Sequence, residues 1–228
     1  ANPKDGLAGA CKWMTLLPKS PLRSDRQNLF DCDVAGTWSH VRLIIYPDGG
    51  VARLRVYGIP SINPNNYVVG ELIELSSVIN GGVALAASDR FFSSPGNLIM
   101  PGRGINMGDG WETKRRRDLN NDWAIIKLGL RGTINKVIAD TAHFRGNYPD
   151  RMSLEATVLK PTESPGPGTV WKTIISERPM FPNREHVFIK EIETSPDQEF
   201  THVRVNIFPD GGLSRLRIIG RPNWESVS

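Results

Sequence analysis

Apolar and polar residues alternate with a period of two along several short stretches of this chain, and turn-forming residues separate them. VALAAS (83–88), WAIIKL (123–128), KVIADTAHF (136–144), MSLEATVL (152–159) and HVFIKEI (186–192) each read as a strand with one buried face. No long stretch carries the 3.6-residue apolar period of a helix. Glycine- and proline-rich turns between many short strands point to an all-β sandwich or jelly roll.

The strongest pattern is a repeat. HVRLIIYPDGGVARLRVYGIP (40–60) matches HVRVNIFPDGGLSRLRIIGRP (202–222) at a constant offset of 162, with thirteen of 21 positions identical. WMTLLPKSPL from Trp13 matches WKTIISERPM from Trp171 more weakly at an offset of 158. In each copy a β-branched run meets PDGG, whose Pro fixes φ and whose Gly tolerates positive φ, and an alternating apolar and basic run follows. That order predicts a repeated β-hairpin. Leu54 and Leu216 would be buried, and Arg53, Arg55, Arg215 and Arg217 would face away from the core. The paired His40 and His202 beside the turn read as architectural.

Only the second copy carries a full set of strand signals. Residues 78–228 are therefore expected to form a complete second repeat, 61–77 a linker, and 1–60 the C-terminal part of a first repeat. Trp171 comes 93 residues after Val78, whereas 12 residues precede Trp13, so the first copy is expected to lack about 80 residues at its start. Such a remainder would leave sheet edges and an apolar face uncovered, so residues 1–59 are expected to pack against the second repeat, to pair with another chain, or to have lost their predecessors; a homo-oligomer is expected.

Composition narrows the function. The formal charge of +4 would permit nucleic-acid binding, but the basic residues are dispersed and the one dense run, Lys114–Arg117, meets Asp118 at once. No nucleic-acid partner is expected. No apolar run approaches the length of a membrane span, and residues 1–10 lack a secretory pattern, so no membrane association and a cytoplasmic location are expected. Cys11 and Cys32 read as two free thiols. No metal-ligand spacing appears, and neither metal nor cofactor is expected.

SDRFFSSPGNLIMPGRG (88–104), NMGDGWETKRRRD (106–118), NDWAIIKLG (121–129) and DTAHFRGNYPD (140–150), taken with the paired HVRxxIxPDGG segments, resemble allantoicase. The resemblance runs from Lys12 onward. It implies tandem jelly-roll β-sandwiches of the galactose-binding-like type, the first copy incomplete here. It also implies an enzyme of purine degradation, a hydrolase converting allantoate to ureidoglycolate and urea. The competing expectations are a non-catalytic ligand-binding jelly roll and an inactive truncated form. The acids, arginines and histidine gathered in three blocks favour the enzyme.

A site for allantoate needs a cationic fork for its carboxylate, acceptors for its ureido N–H groups, and groups that move protons. In DGWETKRRR, Glu112 would be acid or base and Arg115 or Arg116 the fork, with Asp109, Trp111 and Thr113 beside them. The competing reading is a solvated charged loop. In DTAHFRGNYPD, His143 would carry the proton, with Asp140 and Asn147 around it; a core-edge histidine held by a carbonyl is the alternative. Asp89 and Asn97 would accept from ureido groups or would merely cap their loop. Glu112, Asp140 and His143 should share one cleft lined by Arg115 or Arg116.

Overall fold

The computed structural model describes residues 13–58 and 60–227, and the chain divides into two units, Ala1–Val56 and Tyr57–Ser228. Cys11 and the residues examined for a secretory pattern lie outside the described part; Cys32 is a free, exposed thiol. Among the described residues no helix is long and apolar enough to cross a membrane.

The second unit is an all-β sandwich with eleven strands among its described residues. In chain order they are β1 (Ile73–Glu74), β2 (Val83–Ala87), β3 (Trp111–Glu112), β4 (Asp122–Thr133), β5 (Lys136–Asp140) and β6 (Arg151–Thr157). β7 (Lys172–Pro179), β8 (Glu185–Phe188), β9 (Glu199–Phe208), β10 (Gly212–Leu213) and β11 (Arg215–Gly220) complete the set. One sheet runs β2-β4-β9-β6-β7, a second β1-β11-β5-β8, and β3 pairs with β10 at one end. All pairings are antiparallel.

Alternation explains the core. Ala124, Ile126 and Leu128 of β4, Met152 and Leu154 of β6, and Val203, Val205 and Ile207 of β9 are buried, as are Val137 and Ala139 of β5 and Leu216 and Ile218 of β11. These side chains form one apolar cluster, which Trp111 and Leu213 join through the small β3–β10 sheet. Each large aliphatic chain removed from water contributes about 1.5–3 kcal/mol. The strand signal from Lys136 ends at Asp140, because there the chain turns onto its own side chain: Ala142 N–H donates to Asp140 Oδ1 at 2.9 Å.

Two expectations about the repeated segment are corrected. It is not a hairpin: β9 pairs with β4 and β6, whereas β11 pairs with β1 and β5 in the other sheet. PDGG therefore carries the chain from one layer to the other, and its polar groups bond to third segments instead of across a hairpin. Nor does Arg215 face away from the core. It is 2% exposed, because loop 102–109 folds over it and takes its protons on Gly102 O, Asp109 O and the Asp109 carboxylate. Arg217 is partly exposed and grips Glu74 with both carboxylate oxygens at 2.8–2.9 Å.

In the first unit the described residues form turns and bends but no strand, and Leu54 is 52% exposed where its counterpart Leu216 is buried. The expected burial of Leu54 is thus not met: an extended segment with no sheet beside it has nothing to press its apolar face against. The turn itself keeps its shape. Gly49 has φ +130° and Gly211 φ +133°, a region in which glycine is favoured.

His202, buried on β9, has a pKa pushed down to about 4 by burial and by the positive charge of Lys127. The unfolded chain, with an ordinary imidazole near 6.5, binds this proton first as pH falls. Stability is therefore intact above pH about 6.5 and declines by up to about 3 kcal/mol toward pH about 4. His186 shifts in the same direction, chiefly through burial. Urea unfolding of the chain across this window should show the decline, and His202→Gln should flatten most of it. An unchanged slope in that variant would contradict the assignment.

Candidate active site

The cross-layer turn organises one end of the sandwich. Thr113 brackets it: its N–H donates to Gly211 O at 3.1 Å, its hydroxyl donates to the same oxygen at 3.3 Å, and Gly211 N–H donates back to the hydroxyl at 3.2 Å. Arg116 N–H donates to Asp210 Oδ2 at 2.8 Å, and Asp122 N–H to Pro209 O at 3.1 Å. On the other flank Gly212 N–H donates to Asn147 O at 2.8 Å. Gly212 also lies against Phe144, where an added Cβ would fall 2.0 Å from the ring carbon Cε1. The loops carrying Glu112, Lys114–Arg117 and His143–Asn147 therefore converge on this turn.

Several candidate residues are committed to holding those loops. Trp111 is buried and its indole N–H donates to Asp89 O at 3.0 Å. Asp89 Oδ1 accepts from the N–H groups of Phe91 and Lys114, and Asn97 donates to the carbonyls of Gly108 and Gly110. Asp109 Oδ2 accepts from Ile105 N–H and from the buried Arg215 guanidinium, at 3.1 and 3.0 Å. The backbone bond, then the Arg215 bond, holds the Asp109 carboxyl below its ordinary range.

The three proposed proton-handling residues take separate partners. Asp140 is buried and forked by Arg103 at 3.0 and 3.3 Å. Glu112 Oε1 accepts from the Asn147 amide, and Glu112 N–H donates to Ser93 Oγ at 2.8 Å. His143 sits at φ +72°, its N–H donates to Asn183 Oδ1, and its Nε2 is 2.8 Å from Gly104 O. A carbonyl can only accept, so Nε2 carries a proton, and in the neutral ring the lone pair is on Nδ1. A positive charge on His143 would add to the lowering at Asp109. The Asp140 carboxylate and the His143 ring thus bond elsewhere rather than to each other.

Arg115 and Arg116 line a neighbouring cleft of about 400 Å³ with Ser88, Asp89, Lys114, Arg117, Asp118 and Asp122. Glu112, Asp140 and His143 are not among its lining residues. Arg116 forks the exposed Asp118 at 3.0 and 3.1 Å and reaches the fully buried Asp122 at 2.5 Å. The Arg116 bond draws the Asp118 carboxyl below its ordinary range. Among the described residues no three His, Cys, Asp or Glu side chains are grouped as metal ligands.

Arg103, Asp122 and Asn183 escaped the sequence reading, and Arg215 was read only as facing away from the core. Arg215 was hidden by its place in an alternating strand, and Asp122 by the strand signal of the residues after it. A basic residue inside an otherwise apolar strand pair is the one signal that could have exposed Arg215.

The allantoicase repeat family matches residues 2–61 and 73–223. A probable allantoicase of Pseudomonas paraeruginosa is 43% identical over 224 residues, covering 97% of this chain and 66% of the relative. An allantoicase of Dictyostelium discoideum is 44% identical over 208 residues, covering 90% of this chain and 56% of the relative. The crystal structure of allantoicase from Saccharomyces cerevisiae shares 40% identity at a TM-score of 0.58, over 70% of this chain and 45% of that one. The chain thus spans about two thirds of the Pseudomonas relative and less than half of the yeast chain.

The crowding at Gly212 gives a direct test of the turn. Gly212→Ala should cost about 3 kcal/mol by denaturant unfolding, because Phe144 cannot withdraw without opening the core. Gly50→Ala, whose added methyl meets nothing within 4 Å, should stay within about 0.5 kcal/mol. Equal effects at the two positions would contradict the packing described.

Proposed function

The chain belongs to the allantoicase family, and from that premise we propose that this end of the sandwich hydrolyses allantoate to ureidoglycolate and urea. The observation that carries the reading is His143, whose N–H is held on Asn183 and whose Nε2 is held on Gly104 O, so that Nδ1 is the ring nitrogen left to take a proton. In the reaction, water adds an oxygen to the central carbon of allantoate while the C–N bond to one ureido arm breaks. The proton leaving water passes to His143 Nδ1, and a proton must reach the departing nitrogen to give neutral urea. Glu112, steadied by Asn147, is the second proton-transfer group beside the same turn. Asp140 acts at one remove: with Arg103 it fixes the end of β5, from which the His143 loop springs.

Arg115 or Arg116 grips the substrate carboxylate, since a planar guanidinium meets a carboxylate with two parallel bonds. Asp89, Asn97, Asp109, Trp111 and Thr113 hold the surrounding loops, and Asn147 orients Glu112. The cytoplasm as location and a homo-oligomer as the working form complete the proposal; no nucleic acid or membrane takes part.

Urea release from allantoate by the purified chain tests this reading. His143→Gln and Glu112→Gln should each lower turnover by about 10²-fold with an unchanged circular dichroism spectrum. A folded chain whose urea release is indifferent to both substitutions would overturn the assignment.

A further inference from the structure

The Arg116 cleft is built around one carboxylate that is exposed and one that is not. Asp118 lies two residues beyond Arg116, its side chain is 56% exposed, and it meets the guanidinium through Nε and Nη2 with both oxygens. That is the geometry a free carboxylate adopts on an arginine fork. Arg116 itself is far less exposed than its partner. Its side chain is mostly covered, its N–H is fixed on Asp210, and its third contact is to Asp122 Oδ1 at 2.5 Å.

Asp122 supplies the second observation. It is fully buried at the start of β4, and Oδ1 also accepts from the Ser88 hydroxyl at 2.7 Å. Oδ2 is equally buried and has no hydrogen-bond partner among the described residues. A buried carboxylate oxygen without a donor is costly, and its lone pairs are suited to an incoming N–H. Lys114, Arg115 and Arg117 add positive charge around the same cleft.

We propose that Asp118 is a built-in stand-in for a ligand carboxylate, which displaces it from the Arg116 fork and thereby uncovers Asp122 Oδ2 to a ureido N–H of the same ligand. The ligand class is a small carbamoylamino acid, one carboxylate with a ureido group one carbon away. This rests on the allantoate reading above and names Arg116 as the arginine that takes the carboxylate. Displacement exchanges one carboxylate for another on an exposed loop, so the guanidinium is never left without an anion. Asp118 then acts as an internal competitor that lowers affinity without touching the reacting atoms.

The test is calorimetric binding of N-carbamoylglycine, alongside urea release from allantoate. Asp118→Asn should tighten N-carbamoylglycine binding about 2- to 5-fold, the value of an exposed ion pair removed from competition, and lower the KM for allantoate with kcat unchanged. Asp122→Asn should weaken binding about 10-fold or more, because its amide presents N–H to N–H in one of its two orientations and has lost the charge in both. Arg116→Lys keeps the charge but loses the fork, and should weaken binding while thermal melts show a folded chain. Allantoate turnover with Asp118→Asn and Arg116→Lys both leaving KM and N-carbamoylglycine affinity unaltered would overturn the subsite and spare the enzyme. Binding that responds as described without any turnover would retain the subsite and overturn the enzymatic reading. Neither binding nor turnover in the folded chain would overturn both.

Discussion

The constraint on which this structure depends is that the PDGG turn of the second repeat must find its hydrogen-bond partners outside itself. A hairpin turn is served by the two strands it joins. Here the joined strands belong to different layers, so the backbone groups of Gly211 and Gly212 and the carboxylate of Asp210 reach outward to Thr113, Asn147 and Arg116. Each of those partners heads a loop that carries candidate chemistry. The same requirement that satisfies buried polar groups thereby brings the segments that follow Glu112 and His143 to the same turn, with the arginine run in a cleft beside it.

Two copies of one sequence make the point from the other side. Gly49 and Gly211 take nearly the same backbone angle, so the local instruction in PDGG is obeyed in both units. Only in the second unit do the flanking runs become strands, with Leu216 buried and Gly212 pressed against Phe144. An alternating segment specifies a strand only when a sheet offers it an edge and a core offers its apolar face a partner. Local chemistry shapes the turn, and tertiary context decides the strands.

The same division accounts for what could be read in advance. The strands of β4, β5, β6 and β9 were legible because alternation reports which face is buried whatever the neighbours are. β7 was not: Lys172–Pro179 mixes apolar and charged residues and ends in proline, as suits the edge of a sheet. Glu112, His143 and Asn147 stood out as reactive types in a turn-rich context, and the structure puts Glu112 on β3 and the other two on the loop after β5. The partners that decide their state did not stand out. Asn183 fixes His143 across 40 residues, Arg103 meets Asp140 across 37, and Arg215 meets Asp109 across 106. Pairings of that span follow from the sandwich topology and leave no local trace in spacing.

Amide hydrogen exchange in Thr113→Val tests the organising role of the turn most directly. The substitution keeps the shape of the side chain and removes both hydroxyl bonds to Gly211. If the turn ties the loops together, exchange should quicken both in 111–118 and across the turn in 143–150, while β4, β6 and β9 keep their protection. Faster exchange confined to the immediate neighbours of Thr113, with 143–150 unchanged, would contradict the account.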